Sequence, residues 1–364
     1  MGAALVDGVL VPGDVALDGD LVEAVGLPAA AGGRIAAPGL VDLQVNGFDG
    51  VDVMTADADG VAHLGRALAA HGVTSWLPTL VTAPRAATDA ALDVLATACR
   101  RDPTPDGARP LGVHLEGPYL SPRRLGTHAA AHRRDPDPAE LDGWRRRAPV
   151  VAVTLAPELP GALDLVTTLA ADGVLASVGH SDATAAQTAA AFDAGARTVT
   201  HLFNAMSPLG HREPGVPGAA LARADVAVQL VVDGWHLAPE TVLTAWRAAA
   251  GRVVLVSDAT AAAGRPDGTY ELAGMRLDVV DGAVRNAAGA LAGSALTLDR
   301  AVRNVVALGV PPAEALAAAT EVPARLLRRP DLGRLAPGAR ADVVVLTDDL
   351  HVDGTFVAGR RVGP

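Results

Sequence analysis

The chain has 364 residues, half of them hydrophobic and a fifth charged, so it can bury a large core and does not read as disordered. Its formal net charge of -11, from 41 acidic against 30 basic residues, argues against a non-specific nucleic-acid or anionic-membrane surface, and any anionic partner must be met by local cations. All 30 basic residues are Arg, which excludes Schiff-base chemistry, a Walker-type phosphate loop and a carbamylated Lys bridging two metals.

The chain opens Met1-Gly2-Ala3-Ala4-Leu5-Val6-Asp7, without the positive flank and apolar run of a secretory signal. The first 37 residues are short apolar runs broken by turn formers, with Ala4-Leu5-Val6 before Asp7-Gly8 and Val15-Ala16-Leu17 before Asp18-Gly19-Asp20. That spacing predicts a small antiparallel β unit. Between residues 38 and 334 the pattern alternates, a short β-branched run and then an Ala- and Leu-rich stretch with helical spacing. The predicted strands are 40–45, 74–78, 111–115, 150–155, 175–179, 197–200, 226–232 and 253–257, with helices such as 61–71, 87–100, 163–171 and 185–194. Eight strand-then-helix units make an α/β (β/α)8 TIM-like barrel. No G-x-G-x-x-G follows the first strand, which removes the main support for a dinucleotide-binding sheet. The β style returns in Ala341-Asp342-Val343-Val344-Val345-Leu346 and in 354–359. Segments 1–37 and 335–364 are therefore expected to pair into one small β-sandwich domain beside a barrel at 38–334.

Cys99 is the sole cysteine, so an intramolecular disulfide and a multi-thiolate zinc site are impossible. No uncharged apolar run reaches the about 20 residues that span a bilayer. A cytoplasmic protein with no membrane and no nucleic-acid partner is expected. Arg145-Arg146-Arg147 reads as a solvated helix end, and Arg360-Arg361 as an exposed strand tail.

In such a barrel the chemistry sits at the C-terminal strand ends. Strand one leads into Gln44 and Asn46, strand three into Glu116, strand five into His180, strand six into His201 and strand eight into Asp258. Taken singly, Glu116 could cap a helix, either His could be a hydrogen-bonded rim residue, and Asp258 could cap the next helix. Together, one carboxylate and two imidazoles suit a borderline divalent ion and leave a position open for water. Asp258 beside such a water could take its proton and pass it to a leaving group. Gln44 and Asn46 stand where a second metal would be given His-x-His. Amides are poor zinc ligands, so the pattern points to one metal and a vestigial second position.

Several motifs follow one another along the chain: Pro38-Gly39-Leu40-Val41-Asp42, His114-Leu115-Glu116-Gly117-Pro118, Gly126-Thr127-His128, Gly179-His180-Ser181-Asp182-Ala183-Thr184 and Thr200-His201-Leu202-Phe203-Asn204-Ala205-Met206. Arg212-Glu213-Pro214-Gly215, Asp233-Gly234-Trp235-His236, Ser257-Asp258-Ala259-Thr260 and Leu291-Ala292-Gly293-Ser294 complete the series. In this order, over nearly the whole chain, they resemble the N-acetylglucosamine-6-phosphate deacetylases of the amidohydrolase superfamily.

The resemblance implies hydrolysis of the acetamide of N-acetylglucosamine 6-phosphate to glucosamine 6-phosphate and acetate, in the single-metal branch of the family. It implies Glu116, His180 and His201 as metal ligands, for zinc or for the iron, manganese or cobalt that can share this set, and Asp258 as proton acceptor and donor. His128, otherwise a surface-loop histidine, would donate to the acetyl oxygen as charge develops. Arg212 and His236 match phosphate-holding positions, although Arg212 could instead pair with Glu213. Thr127, Asn204 and Ala205 match substrate contacts, as do Leu291, Ala292 and Gly293 through backbone groups. A homodimer is implied, with Arg212 able to serve the neighbouring subunit's ligand. The alternatives are the same chemistry on N-acetylgalactosamine 6-phosphate, a neutral N-acetyl sugar or a cyclic amide, and a non-catalytic sugar-phosphate binder. The last conflicts with a complete set of ligands and acid/base groups.

Overall fold

Eight runs rich in Val, Leu and Thr pair side by side in parallel, each with the next in sequence. They are β1 (Leu40–Val45), β2 (Val73–Val81), β3 (Val113–Glu116), β4 (Val150–Leu155), β5 (Leu175–Val178), β6 (Thr198–Val199), β7 (Ala227–Leu230) and β8 (Val253–Leu255). The computed structural model describes residues 2–28, 33–100 and 106–363. Among these the ring closes between β8 and β1 through contacts at the strand tips. Asn46 N donates to Ala259 O at 2.8 Å, Ser257 Oγ to Gln44 O at 3.2 Å, and Ser257 N to Asp42 Oδ1 at 3.2 Å. The result is a nearly closed (β/α)8 barrel.

Each strand is followed by a helix: α1 (Ala58–Ala69), α2 (Arg85–Arg100), α3 (Pro138–Arg147), α4 (Ala162–Ala171), α5 (Ala185–Ala194), α6 (Gly215–Ala222), α7 (Pro239–Ala248) and α8 (Leu298–Ala307). Helices outside and packed side chains inside leave no wet face, and every residue of β1 and β4 except Val151 is buried. Local sequence sets where the helices begin. Asp57 accepts from Gly60 N ahead of α1, Asp137 from Ala139 N and Glu140 N ahead of α3, and Thr184 with Gln187 forms a capping box on α5. The barrel interior carries polar groups as well. His114 Nε2 lies 2.7 Å from Thr154 Oγ1, which lies 2.8 Å from Thr200 Oγ1, and burial pushes the His114 pKa down to about 4.

The two ends of the chain share one six-stranded sheet, ordered Val9–Pro12, Ala3–Val6, Arg34–Pro38, Val343–Thr347, Val352–Val357, Arg360–Arg361. The hairpin Asp14–Asp18 and Leu21–Leu27 forms a second layer, and Ala4, Val22, Ala36, Leu335 and Val343 are buried together in the cluster these segments share. Residues 1, 29–32 and 364 of the segments expected to build this unit lie outside the described residues. Arg360–Arg361 is an exposed strand as expected. The helix end at 145–147 is solvated as expected, with Arg146 and Arg147 exposed, and it carries surface ion pairs from Arg145 to Asp172 and from Arg147 to Asp89 and Asp93.

One element was not anticipated. Between β8 and α8 the strands Gly268–Leu272, Met275–Val280 and Ala283–Asn286 form an antiparallel sheet. Its turns, Ala273-Gly274 and Asp281-Gly282, hold positive φ at both residues, the twist that tight hairpins prefer. Leu272, Leu277, Val279 and Val284 bury one face of it with Ala292.

Phe192 is fully buried in the main core. Phe192→Ala is expected to cost about 3–5 kcal/mol, and Thr184→Ala, which removes the cap of the same helix, about 1 kcal/mol. Denaturant unfolding of the two variants checks both the size and the order of these effects.

Candidate metal and substrate site

Three groups at the strand ends sit on left-handed backbone. His180 follows β5 with φ 47°, His201 follows β6 with φ 31°, and Asp258 follows β8 with φ 50°. Such a conformation costs a non-glycine residue about 1–3 kcal/mol. Here it turns the chain sharply off each strand at a residue that lines a cleft of about 330 Å3.

Glu116 Oε1 lies 3.2 Å from His180 Nε2 and 3.0 Å from His201 Nε2, and the two nitrogens are 3.0 Å apart. All three side chains are buried. His180 Nδ1 is 2.9 Å from the Arg124 carbonyl oxygen, which can only accept, so Nδ1 carries the proton and Nε2 turns its lone pair towards Glu116 and His201. Burial pushes the Glu116 carboxyl up, but the two imidazoles more than offset this and hold it well below the usual range. It is therefore ionised. Among the described residues this is the group of His, Cys, Asp and Glu side chains able to hold a metal ion, with ligand atoms within 4.8 Å of one another. The donor types, the burial and the fixed tautomer fit a divalent cation with an open coordination position.

The first-strand amides join this group to Asp258. Gln44 Nε2 stands 3.0 Å from Glu116 Oε1 and 3.0 Å from Asp258 Oδ1, and Asn46 Nδ2 is 2.8 Å from Asp258 Oδ1. Where a second cation would need lone pairs, the chain presents N–H groups. Burial first, and the charge of Glu116 second, raise the Asp258 pKa to about 6. A group titrating near neutrality beside one that stays ionised is the usual electrostatic signature of acid/base work. The backbone beyond it is held tightly. Ser294 N donates to Asp258 O at 2.8 Å, and a Cβ on Gly293 would come within 2.9 Å of that same carbonyl.

His128 lies across the cleft, its Nε2 3.9 Å from Glu116 Oε2. Its Nδ1 accepts from Thr82 N at 3.2 Å, which places the proton on Nε2. Burial, with the neighbouring His180, lowers its pKa to about 3, so it is a neutral donor. His236 is oriented through Nδ1, 2.7 Å from Asp233 Oδ2. Burial raises the Asp233 carboxyl, but the hydrogen bonds from His236 and from the backbone at 235 and 236 leave it below its ordinary value. Thr127, Asn204, Ala205, Leu291 and Gly293 also line the cleft.

Two expected contacts do not. Arg212 is exposed, its Nη1 2.8 Å from His211 Nε2, outside the lining of its own cleft. The Ala292 side chain is buried with Leu272 and Leu277 under the hairpin sheet, between two residues that line the cleft. Conversely, Arg123, Arg124, Val81 and Leu272 line the cleft without having been singled out. Arg123 and Arg124 both bind Asp182, at 3.0 and 2.8 Å, and so tie the loop after β3 to the loop after β5. The Arg-Arg pair just before Gly126-Thr127-His128 was a visible signal. The role of the Arg124 carbonyl was not, since any residue carries one.

The amidohydrolase family pattern matches residues 35–362. The chain is 44% identical over 331 residues to N-acetylgalactosamine-6-phosphate deacetylase of Escherichia coli O157:H7, covering 90% of this chain and 87% of that protein. It is 40% identical over 329 residues to N-acetylglucosamine-6-phosphate deacetylase of Vibrio furnissii, covering 89% and 82%. A mutant N-acetyl-D-glucosamine-6-phosphate deacetylase of Mycobacterium smegmatis, solved in complex with N-acetyl-D-glucosamine 6-phosphate, superposes with a TM-score of 0.94 at 38% identity, covering 100% of this chain and 98% of that one.

Purified protein is expected to take up one equivalent of a divalent metal ion. His180→Ala or His201→Ala should lose most of it on dialysis, as read by elemental analysis, and full retention by both variants would rule the cluster out as the metal site.

Proposed function

The chain belongs to the amidohydrolase family, and from that premise we infer that it hydrolyses the acetamide of N-acetyl-D-glucosamine 6-phosphate to D-glucosamine 6-phosphate and acetate. The observation that carries this reading is the buried Glu116, His180 and His201 cluster joined through Gln44 to a second carboxylate, Asp258, of raised pKa. Amide hydrolysis needs electrophilic assistance at the acyl oxygen and a base that later returns its proton.

Glu116, His180 and His201 would hold the divalent ion, zinc in this reading, which supplies Lewis-acid stabilisation and acidifies water. Asp258 as carboxylate takes the proton from the attacking water. His128 donates from Nε2 to the acyl oxygen as negative charge builds on it. When the C–N bond breaks, Asp258 gives that proton to the departing amine, so the group ends in the state in which it began. His236, held by Asp233, presents its other nitrogen to the sugar phosphate, with Thr127, Asn204, Ala205, Leu291 and Gly293 along the sugar. The position of Arg212 outside its own cleft supports a homodimer in which it reaches the neighbouring site. A cytoplasmic location belongs to the same reading, and no helix among the described residues is long and apolar enough to cross a membrane.

The 44% identity to an N-acetylgalactosamine-6-phosphate deacetylase makes the C4 epimer the second substrate to test. Acetate release from both epimers and from unphosphorylated N-acetylglucosamine separates the readings. The N-acetylglucosamine phosphate is expected to be the best of the three, and no release from any of them would overturn the assignment. Asp258→Asn should lower kcat by about 10²–10⁴-fold with the metal retained. His236→Ala should remove about 2 kcal/mol, roughly thirty-fold, from kcat/KM for the phosphorylated sugar and leave the neutral sugar unchanged. Because Asp258 acts as a base and its pKa is raised to about 6, kcat/KM should fall with acidification through a single ionisation at or below that value, since a bound cation draws it down. Asp258→Asn should abolish the limb in a pH–rate profile.

A further inference from the structure

The cleft has a neighbour that the acetyl group does not need. A second cavity of about 340 Å3 lies against it, and Val81, Thr127, His128 and Leu272 line both spaces. Beyond this common wall the second cavity is mainly apolar, with Ala83 and Pro84 after β2 and Ala273 and Met275 from the hairpin sheet. Val81 and Met275 pack against the small apolar cluster of that sheet, so the wall is built by an element outside the eight-fold barrel repeat.

The chemistry of the cleft orients an acyl group towards this space. Its oxygen belongs at His128 Nε2, the neutral donor of the cleft, and its nitrogen towards Asp258 and the sugar. The remaining substituent of the carbonyl carbon must then point away from the sugar contacts, where Val81 and Leu272 supply the apolar lining. One methyl group fills little of a 340 Å3 cavity, whereas each further methylene would exchange water for apolar wall.

Resting on the reading above, we propose that this second cavity receives the acyl chain, so that the enzyme also deacylates hexosamine 6-phosphates carrying straight N-acyl chains longer than acetyl, and that Met275 sets the limit of length. Water adds to the carbonyl carbon and the C–N bond breaks as before; the products are the amino-sugar phosphate and the longer carboxylate.

The test measures free amine formed from N-acetyl-, N-propionyl-, N-butyryl- and N-hexanoyl-glucosamine 6-phosphate by the metal-loaded enzyme. A pocket without room rejects a single methylene by about 10–200-fold. Here the butyryl compound should stay within about tenfold of the acetyl one in kcat/KM. Met275→Trp should lower butyryl hydrolysis at least about tenfold, with acetyl hydrolysis changed less than about threefold. Met275→Ala should improve the hexanoyl compound, which keeps the test independent of how well the Trp variant folds. A butyryl rate more than about 100-fold below acetyl in the unmodified enzyme, or equal losses for both substrates in Met275→Trp, would overturn the proposal and leave the deacetylase reading intact. Turnover of none of the four would overturn both.

Discussion

One amide nitrogen, Gln44 Nε2, stands 3.0 Å from an oxygen of each of two buried carboxylates, Glu116 and Asp258. Two like charges in a site with little water repel strongly, and something must make their proximity tolerable. The chain answers with the amide donors of Gln44 and Asn46 from the end of the first strand, while the imidazoles of His180 and His201 close on Glu116 from the fifth and sixth. The cost is not shared equally. Glu116, beside both imidazoles, stays ionised, and Asp258, held by amides, is pushed towards neutrality. That inequality makes one carboxylate a suitable cation ligand and the other a suitable proton carrier.

Keeping these groups in register falls to the barrel seam. β8 and β1 meet through Asp42, Gln44, Ser257 and Ala259, so the contacts that close the ring also orient the residues that bear Gln44 and Asp258. The left-handed residues at the strand tips fit the same scheme, since a scaffold braced by eight helices can hold backbone that a loop alone would relax. The hairpin sheet adds a wall through Leu272 and encloses the apolar space beside His128.

Much of this was legible before folding. The eight strands were visible because a strand buried on both faces must be apolar along its whole length, and the predicted runs coincide with β1 to β8 within a few residues. Glu116, His180, His201 and Asp258 stood out because a polar residue at the end of such a run has a single rim to face. The hairpin sheet lies outside the strand-and-helix alternation, whose last predicted strand ends at residue 257, so only turn formers such as Asp281-Gly282 mark it in the sequence. The burial of the Ala292 side chain under that hairpin was not legible either, because the cluster that covers it comes from the hairpin itself. Arg212 differs again, since its motif is legible in the sequence and the structure leaves the side chain exposed beside His211.

The sequence by itself determined the architecture and the inventory of reactive groups, because periodicity and residue type act locally and survive without coordinates. Only the tertiary structure decided how those groups relate. It set the proton of His128 on Nε2 through the Thr82 backbone and the lone pair of His180 through the Arg124 carbonyl. It also turned Gln44 and Asn46 from a poor pair of ligands into donors that hold two carboxylates together. These are distances between segments as much as 214 residues apart in the chain, and the sign of each interaction depends on which atom faces which.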